Sequence, residues 1–183
     1  MYSLTNLIGK GYSLKEERDI PKFYIYCDMD GVLTDFDSRF EHFAGMSPSE
    51  YKVKFGEQQF WYLIDQKVGL EFWSKMDWMS GGKRLWEFIS RFPNVQLLTS
   101  PSRHNNSRLG KNTWVSSNLS PTPKVIFAYS SDKQRYANPD SILIDDKKSN
   151  INQWASKGGI AIRCQNGNVD KVIEKLKELG FYE

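Results

Sequence analysis

Five short, almost entirely apolar segments recur along the 183-residue chain, and they limit its fold more than any other feature. Such runs are typical of parallel strands that are covered on both faces. Helical apolar patterns alternate with them, which predicts an α/β fold, a Rossmann-like parallel sheet flanked by helices. The strands are expected at 23–27, 95–98, 125–128, 142–144 and 160–162, and helices at 85–92, 105–119, 149–157 and from 169.

The interval from about 36 to 92 interrupts this alternation. It is far longer than an ordinary strand-to-helix connection, and it holds 14 of the 26 aromatic residues. Ser47-Pro48 and Gly56 indicate helix starts or breaks, and Gly81-Gly82 indicates a later boundary. We therefore expect a small helical cap at 37–80, inserted after the first strand. The α/β core is then 21–36 and 81–183, and residues 1–20 are an N-terminal extension of unknown role.

The first strand ends in two carboxylates two residues apart, Asp28 and Asp30. Because side chains alternate along a strand, both can face the same small volume. Two acids held this close repel each other unless a proton or a cation separates them, and Mg²⁺ prefers oxygen ligands. Gly31 follows at once and lets the chain turn away. A strand that only filled a core has no use for this pair, so the pair predicts a site at the carboxyl edge of the sheet.

Three more polar clusters follow predicted strands at the same edge. They are Thr99-Ser100-Pro101, the stretch from Ser130 to Lys133, and Asp145-Asp146. Taken singly, these clusters are compatible with a strand-end turn, a solvated lysine and a helix cap. Four clusters in this order at one edge predict an active site.

The order and spacing of these clusters resemble the haloacid dehalogenase-like superfamily of phosphohydrolases. The resemblance extends from Phe23 to about Cys164, and its most specific parts are Asp-Met-Asp-Gly-Val-Leu-Thr-Asp and Ile-Asp-Asp. Finer features are similar to the 5′(3′)-deoxyribonucleotidase branch. They are Asp35-Phe36, Thr99-Ser100-Pro101, Lys111, Trp114-Val115, Asp132-Lys133 and the position of the insertion.

The resemblance implies a role for each polar residue. Asp28 would attack phosphorus and form an aspartyl-phosphate, and Asp30 would act as acid and then as base. Thr99 and Lys133 would bind the phosphate oxygens. Mg²⁺ would be held by Asp28, Asp146 and the backbone carbonyl of Asp30, with Asp145 acting behind them or through water.

These features predict that the substrate is a small phosphate ester. A nucleoside monophosphate is favoured, in its deoxy form. Rings in the insertion could stack on a nucleobase, although aromatic residues at helical spacing also form cores. The candidates for substrate contacts are Gly31, Phe36, Phe72, Trp73 and Ser100. The same chemistry on a sugar phosphate or a nucleic-acid 3′-phosphate, and a non-catalytic binding module, are the alternatives.

The bulk properties restrict the partners. A net charge of +3 gives no argument for long nucleic acid, and no apolar run is long enough to span a membrane. The two cysteines suggest neither a disulfide framework nor a zinc site, and no secretory signal is visible. These features predict a cytoplasmic protein and leave the choice between a monomer and a homodimer open.

Overall fold

The computed structural model describes residues 22–182, and a five-stranded parallel sheet runs through its centre. The strand order is β3-β2-β1-β4-β5, and every neighbouring pair is parallel. This confirms the predicted fold class and all five strands, whereas the predicted extension at 1–20 lies outside the described residues. The strands are β1 (Tyr24–Cys27), β2 (Val95–Thr99), β3 (Lys124–Phe127), β4 (Ser141–Asp145) and β5 (Ile160–Arg163).

Helices follow the strands as the apolar periodicity predicts, and the interval after β1 is helical. We call residues Phe36–Ser74 the helical insertion. It contains α1 (Phe36–Ala44), α2 (Pro48–Tyr62), a π-helix (Leu63–Val68) and α3 (Leu70–Ser74). The remaining α-helices are α4 (Gly82–Ile89), α5 (Asn105–Asn118), α6 (Lys148–Ser156) and α7 (Val169–Glu178), with 3₁₀ turns at Ser130–Tyr136 and Gln165–Gly167.

Capping residues set several of these helix boundaries. Ser47 and Glu50 form a reciprocal capping box at the start of α2, where Pro48 occupies the first turn. Asn168 caps α7 by accepting from the backbone N–H of Lys171. Gly56 interrupts α2 with a φ of 84°, a conformation that L side chains rarely adopt. The predicted starts and the predicted break are therefore present.

The sheet is covered on both of its faces. Ile142 and Ile144 of β4 belong to the main hydrophobic core, whereas Leu143 between them packs in a second cluster with Leu98 and Trp154. Because successive side chains on a strand point to opposite faces, the two clusters lie on opposite faces of the sheet. Apolar side chains on both faces explain why the strands read as continuous apolar runs rather than as alternating ones.

The helical insertion leaves the core and returns to it at adjacent points. The backbone N–H of Asp35 donates to Asp77 O at 2.9 Å, and that of Met79 donates to Leu33 O at 2.8 Å. Helix α3 of the insertion packs on α5 of the core, where a Cβ at Gly110 would collide with the Cβ of Trp73. These contacts hold the insertion beside the carboxyl edge of the sheet. None of the helices in the described residues has the length and apolar character to cross a membrane.

Candidate active site

Asp28 follows β1 directly, and both of its carboxylate oxygens are held. Oδ1 accepts from the backbone N–H of Met29 at 2.8 Å, and Oδ2 lies 2.8 Å from Lys133 Nζ. Burial favours the neutral acid, but the ammonium groups of Lys133, Lys111 and Lys147 together outweigh it and lower the pKa of Asp28. The structure therefore presents Asp28 as a fixed, ionised carboxylate, which is the form that a nucleophile requires.

Lys133 lies between two buried carboxylates. Its Nζ is 2.7 Å from Asp145 Oδ2 as well as 2.8 Å from Asp28 Oδ2. Asp145 is fully buried and also accepts from the side chain of Asn150 and from the backbone N–H of Lys147. An ammonium has three N–H groups, and these two contacts use two of them. Within residues 22–182 no other acceptor contacts this ammonium, so the third N–H remains for a further partner.

Asp30 is oriented by a second buried lysine, Lys111. Asp30 Oδ2 lies 2.7 Å from Lys111 Nζ, and Oδ1 accepts from the hydroxyl of Thr34 at 3.1 Å. Lys111 Nζ also donates to Thr99 Oγ1 at 2.7 Å and to Ser100 O at 2.9 Å. All three N–H groups of Lys111 are therefore engaged, so this lysine fixes Asp30 rather than offering a free donor.

Asp146 completes a group of carboxylates at the end of β4. One oxygen from each of Asp28, Asp145 and Asp146 lies within 4.8 Å of the others. Asp146 Oδ1 is buried and has no hydrogen-bond partner among residues 22–182. Burial, followed by the charges of Asp28 and Asp145, raises the pKa of Asp146 to about 7. The group thus carries more negative charge than its neighbours neutralise.

Gly31 allows the loop after β1 to approach Asp146 closely. Its φ is 77°, and a Cβ at this position would lie 2.7 Å from Asp146 Oδ2. A larger residue would therefore be strained by its backbone conformation and would displace Asp146. The predicted turn at Gly31 is present, and close approach is a second reason for glycine there.

These observations fit a divalent cation with oxygen ligands. An unpartnered buried carboxylate oxygen and a raised carboxyl pKa both indicate a position where positive charge is favoured. The donor set is oxygen only, which suits Mg²⁺ better than a metal that prefers nitrogen or sulfur. The oxygens of Asp145 already accept from Lys133, Asn150 and Lys147, which agrees with a role behind the ligands.

A cavity of about 690 Å³ opens beside these acids. Its wall contains polar and charged residues, namely Asp30, Asp35, Asp37, Lys52, Ser100, Ser102, Ser130, Ser131, Asp146 and Lys147, together with Gly31. It also contains aromatic residues, namely Phe36, Phe60, Trp61, Trp73 and Tyr129. The core and the helical insertion both contribute, so the cavity lies between them.

Four of the five predicted substrate contacts line this cavity, and one does not. Gly31, Phe36, Trp73 and Ser100 are part of its wall. Phe72 is fully buried, and its ring packs against Phe36 with centroids 5.3 Å apart. Phe72 packs in the core of the insertion and is not among the described residues that line the cavity, so its predicted contact with substrate stays a prediction. Thr99 is also fully buried and meets Lys111, and its predicted contact with phosphate stays a prediction.

Lys111 and Asp65 lie at the site, and no pattern in the sequence singled out either residue. Lys111 appeared only among the features of the resemblance, yet its ammonium contacts Asp30 across 81 positions of sequence. Asp65 lies in the insertion and accepts from Ser102 and Trp73, two residues of the cavity wall. Neither residue belongs to a recognisable motif, and the sequence alone does not distinguish a buried lysine on a helix from a solvated one.

Comparisons with known proteins agree with this architecture. No protein-family model and no curated protein sequence matches the chain. A haloacid dehalogenase-like family hydrolase from Xanthomonas campestris superposes with a TM-score of 0.56 at 12% identity, covering 90% of this chain and 94% of that one. A predicted phosphatase from Clostridium acetobutylicum superposes with a TM-score of 0.54 at 11% identity, covering 85% and 98%.

At such identities a likeness shows the fold alone, and the fold is consistent across both structures. In this chain the sheet carries the acidic residues at the carboxyl ends of β1 and β4. The chain therefore shares its α/β fold with that hydrolase and with that predicted phosphatase.

Proposed function

We propose that this protein is a Mg²⁺-dependent phosphomonoesterase that hydrolyses nucleoside monophosphates, with deoxynucleotides favoured, through an aspartyl-phosphate. One observation carries the proposal. Asp28 is ionised and fixed by Lys133, while Asp30, two residues away, is fixed separately by Lys111 beside the same cavity. Two carboxylates with separate partners suit two separate roles, one as nucleophile and one as acid and base.

In the first step an oxygen of Asp28 attacks phosphorus. The bond from that oxygen to phosphorus forms as the bond from phosphorus to the ester oxygen breaks. Asp30 gives its proton to the departing oxygen, so the leaving group departs as an alcohol. Lys133 would donate to a phosphate oxygen through the N–H that its contacts with Asp28 and Asp145 leave over.

In the second step water attacks the phosphorus of the aspartyl-phosphate. Asp30, now a carboxylate, removes a proton from this water as the new bond forms. The bond between phosphorus and Asp28 breaks, which releases inorganic phosphate and restores the Asp28 carboxylate. Lys111 holds the Asp30 side chain in position in this step through its contact of 2.7 Å.

Asp28, Asp146 and the backbone carbonyl of Asp30 would hold Mg²⁺, with Asp145 behind them. Bound there, the ion supplies positive charge that offsets the phosphate and the carboxylates. This chain contributes the oriented oxygens, and Gly31 contributes the space that lets Asp146 approach the loop after β1. The raised pKa of Asp146 implies that cation binding displaces a proton near neutral pH.

We expect activity to require Mg²⁺, and we expect Ca²⁺ to inhibit this activity. Ca²⁺ accepts more oxygen ligands at longer distances, so it would engage both oxygens of Asp28 and keep them from phosphorus. The measurement is initial velocity on 4-nitrophenyl phosphate in chelator, in Mg²⁺ and in mixtures of both ions. Full activity in excess chelator would exclude a role for the metal.

The aromatic part of the cavity supports a nucleotide as the substrate. Phe36 packs against Trp73, with ring centroids 5.8 Å apart, and both side chains line the cavity. A nucleobase offers a flat face to such rings, whereas a sugar phosphate offers only hydroxyls. The helical insertion would then act as the cap that selects the organic part of the ester.

The experiment that tests this substrate class is Phe36→Ala, assayed on two substrates. We expect kcat/KM for nucleoside monophosphates to fall by an amount equivalent to roughly 1–3 kcal/mol, the value of one lost stack. Activity on 2-deoxyribose 5-phosphate should barely change, because this ester has no flat ring that could stack on Phe36.

Phe43→Ala serves as the matched control, because Phe43 lies on the same helix, is partly exposed and does not line the cavity among the described residues. It should leave both activities near the wild-type values. Equal losses of Phe36→Ala on both substrates, or a wild-type preference for sugar phosphates, would favour the sugar phosphatase alternative.

A further inference from the structure

Asp65 is a buried carboxylate that the proposed reaction does not use. It lies in the π-helix of the helical insertion and is 5% exposed. Its Oδ1 accepts from Ser102 Oγ at 2.9 Å and from Trp73 Nε1 at 3.2 Å. No lysine or arginine within residues 22–182 forms an ion pair with it. Burial raises the pKa of Asp65, and the two hydrogen bonds oppose this rise.

Asp65 joins the insertion to two parts of the core. Ser102 belongs to the loop after β2, and the backbone carbonyl of Asp65 accepts from Asn106 Nδ2 of α5 at 3.0 Å. π-helical segments frequently occur at functional sites, where an extra residue redirects a side chain. The position of Asp65 is therefore fixed from three directions.

Trp73 is held as tightly as Asp65. Its Cβ packs against Gly110, where any side chain would collide with it, and Lys111 Nζ lies 5.2 Å from its ring centroid. The indole N–H is directed at Asp65 Oδ1. Trp73 and Ser102 line the cavity, while Asp65 is not among its described lining residues. Asp65 thus acts on the cavity only through these two neighbours.

We propose that Asp65 is a positioning residue that sets substrate specificity by holding Trp73 and Ser102 in the cavity wall. The inference rests on the proposed function in one respect, since it takes the ester phosphate to lie at Asp28 and Asp146. Beyond that function, we assign Asp65, Trp73 and Ser102 to the part of the enzyme that selects the organic group of the ester. That group is flat and aromatic, because the partly exposed ring of Phe36 lines the cavity and packs against the buried ring of Trp73, with centroids 5.8 Å apart.

The physical reason lies in where the two donors point. A buried N–H or O–H without an acceptor costs free energy, so it turns towards any acceptor within reach. With Asp65 in place, the Trp73 N–H and the Ser102 hydroxyl are both satisfied behind the wall. Without it, the hydroxyl still has the carbonyl of His104 at 3.3 Å, whereas the indole N–H loses its acceptor and the ring loses its fixed orientation.

The test compares Asp65→Leu with Asp65→Asn. Leucine keeps the approximate size of the side chain and removes the acceptor. Asparagine keeps a carbonyl oxygen that can accept from both donors, since both hydrogen bonds end on the same oxygen, Oδ1. Asp140→Asn, an exposed carboxylate before β4, is the matched surface control.

The substrates are deoxynucleoside 5′-monophosphates and 2-deoxyribose 5-phosphate, in which a hydroxyl takes the place of the base. We expect Asp65→Leu to lower the ratio of kcat/KM between them about tenfold, the equivalent of one lost buried hydrogen bond, mainly through KM. Asp65→Asn and Asp140→Asn should stay within about twofold of the wild type, since their acceptors and surfaces are preserved.

An unchanged ratio in Asp65→Leu, or equal losses on both substrates, would overturn the inference while leaving the proposed reaction intact. A wild-type enzyme that hydrolyses both substrates equally would also overturn it. A wild type that hydrolyses no phosphate ester would instead refute the proposed function, and the inference with it. Should Asp65→Leu not fold, Asp65→Ala removes the same acceptor without the methyl groups and is judged by the same ratio.

Discussion

Asp28→Asn is expected to abolish turnover while leaving the fold intact. An amide cannot form an acyl-phosphate as a carboxylate does, and it is a poor ligand for Mg²⁺. The loss should be several orders of magnitude in kcat, far beyond the tenfold that ~1.4 kcal/mol of barrier represents. The measurement is hydrolysis of 4-nitrophenyl phosphate by purified variant and wild type at saturating Mg²⁺.

The fold should survive because Lys133 keeps Asp145 as a partner at 2.7 Å, and the amide oxygen can still accept from Met29 or Lys133. Circular dichroism and the midpoint of urea unfolding check this. In the wild type, rapid quenching during turnover should yield a peptide that carries a phosphoryl group on Asp28. Near-normal activity in a folded Asp28→Asn protein would exclude the covalent mechanism.

The residues whose roles follow from the sequence share one property: their geometry is local. Asp28 and Asp30 are two positions apart after an apolar strand, so strand alternation alone places both side chains together. Asp145 and Asp146 follow β4, and the parallel sheet brings the ends of β1 and β4 side by side. Side-chain alternation and the shared carboxyl edge of a parallel sheet therefore carried these predictions without any knowledge of side-chain packing.

The residues that the sequence did not reveal depend on contacts between distant segments. Lys111 reaches Asp30 only because α5 packs against the insertion and against the end of β2. Phe72 and Trp73 are neighbours in one short helix, and helical periodicity does not say which of the two faces the cavity. Gly110 and the packing of α3 on α5 decide this, since they fix the position of Trp73.

The two lysines of the site illustrate the same limit. Lys133 was predicted to meet phosphate, and two of its three N–H groups hold Asp28 and Asp145. The balance between holding acids and binding substrate depends on distances that a sequence does not contain. The position of Lys133 has a measurable consequence, because a cation between two buried acids stabilises the fold as well as the reaction.

Lys133→Met is expected to destabilise the protein and to remove most of its activity. Lys133 is 1% exposed, and its loss leaves Asp28 and Asp145 buried without their cation. Removing one member of a buried ion pair typically costs about 3–5 kcal/mol in the free energy of unfolding. Urea unfolding in the presence of a chelator measures this, so that no added metal replaces the missing charge.

The pH dependence of the stability lost in Lys133→Met identifies the cause of that loss. In the wild type the pKa of Asp28 is lowered, so its stabilising contribution is present above the ordinary carboxyl range and is lost as pH falls. In Lys133→Met the pKa of Asp28 should rise, so the folded state favours the protonated acid. The deficit in stability should therefore be larger at pH 8 than at pH 5.

A double variant separates charge from shape. Lys133→Met combined with Asp28→Asn removes the repulsion between the two carboxylates and leaves the methionine in place. If unpaired charge causes the loss, the double variant should be more stable than Lys133→Met alone, and the two effects should be non-additive. Lys148→Met, at an exposed lysine on α6, is the matched control and should unfold at the wild-type urea concentration. A Lys133→Met protein as stable as the wild type would show that the ammonium between Asp28 and Asp145 does not hold this edge of the sheet together.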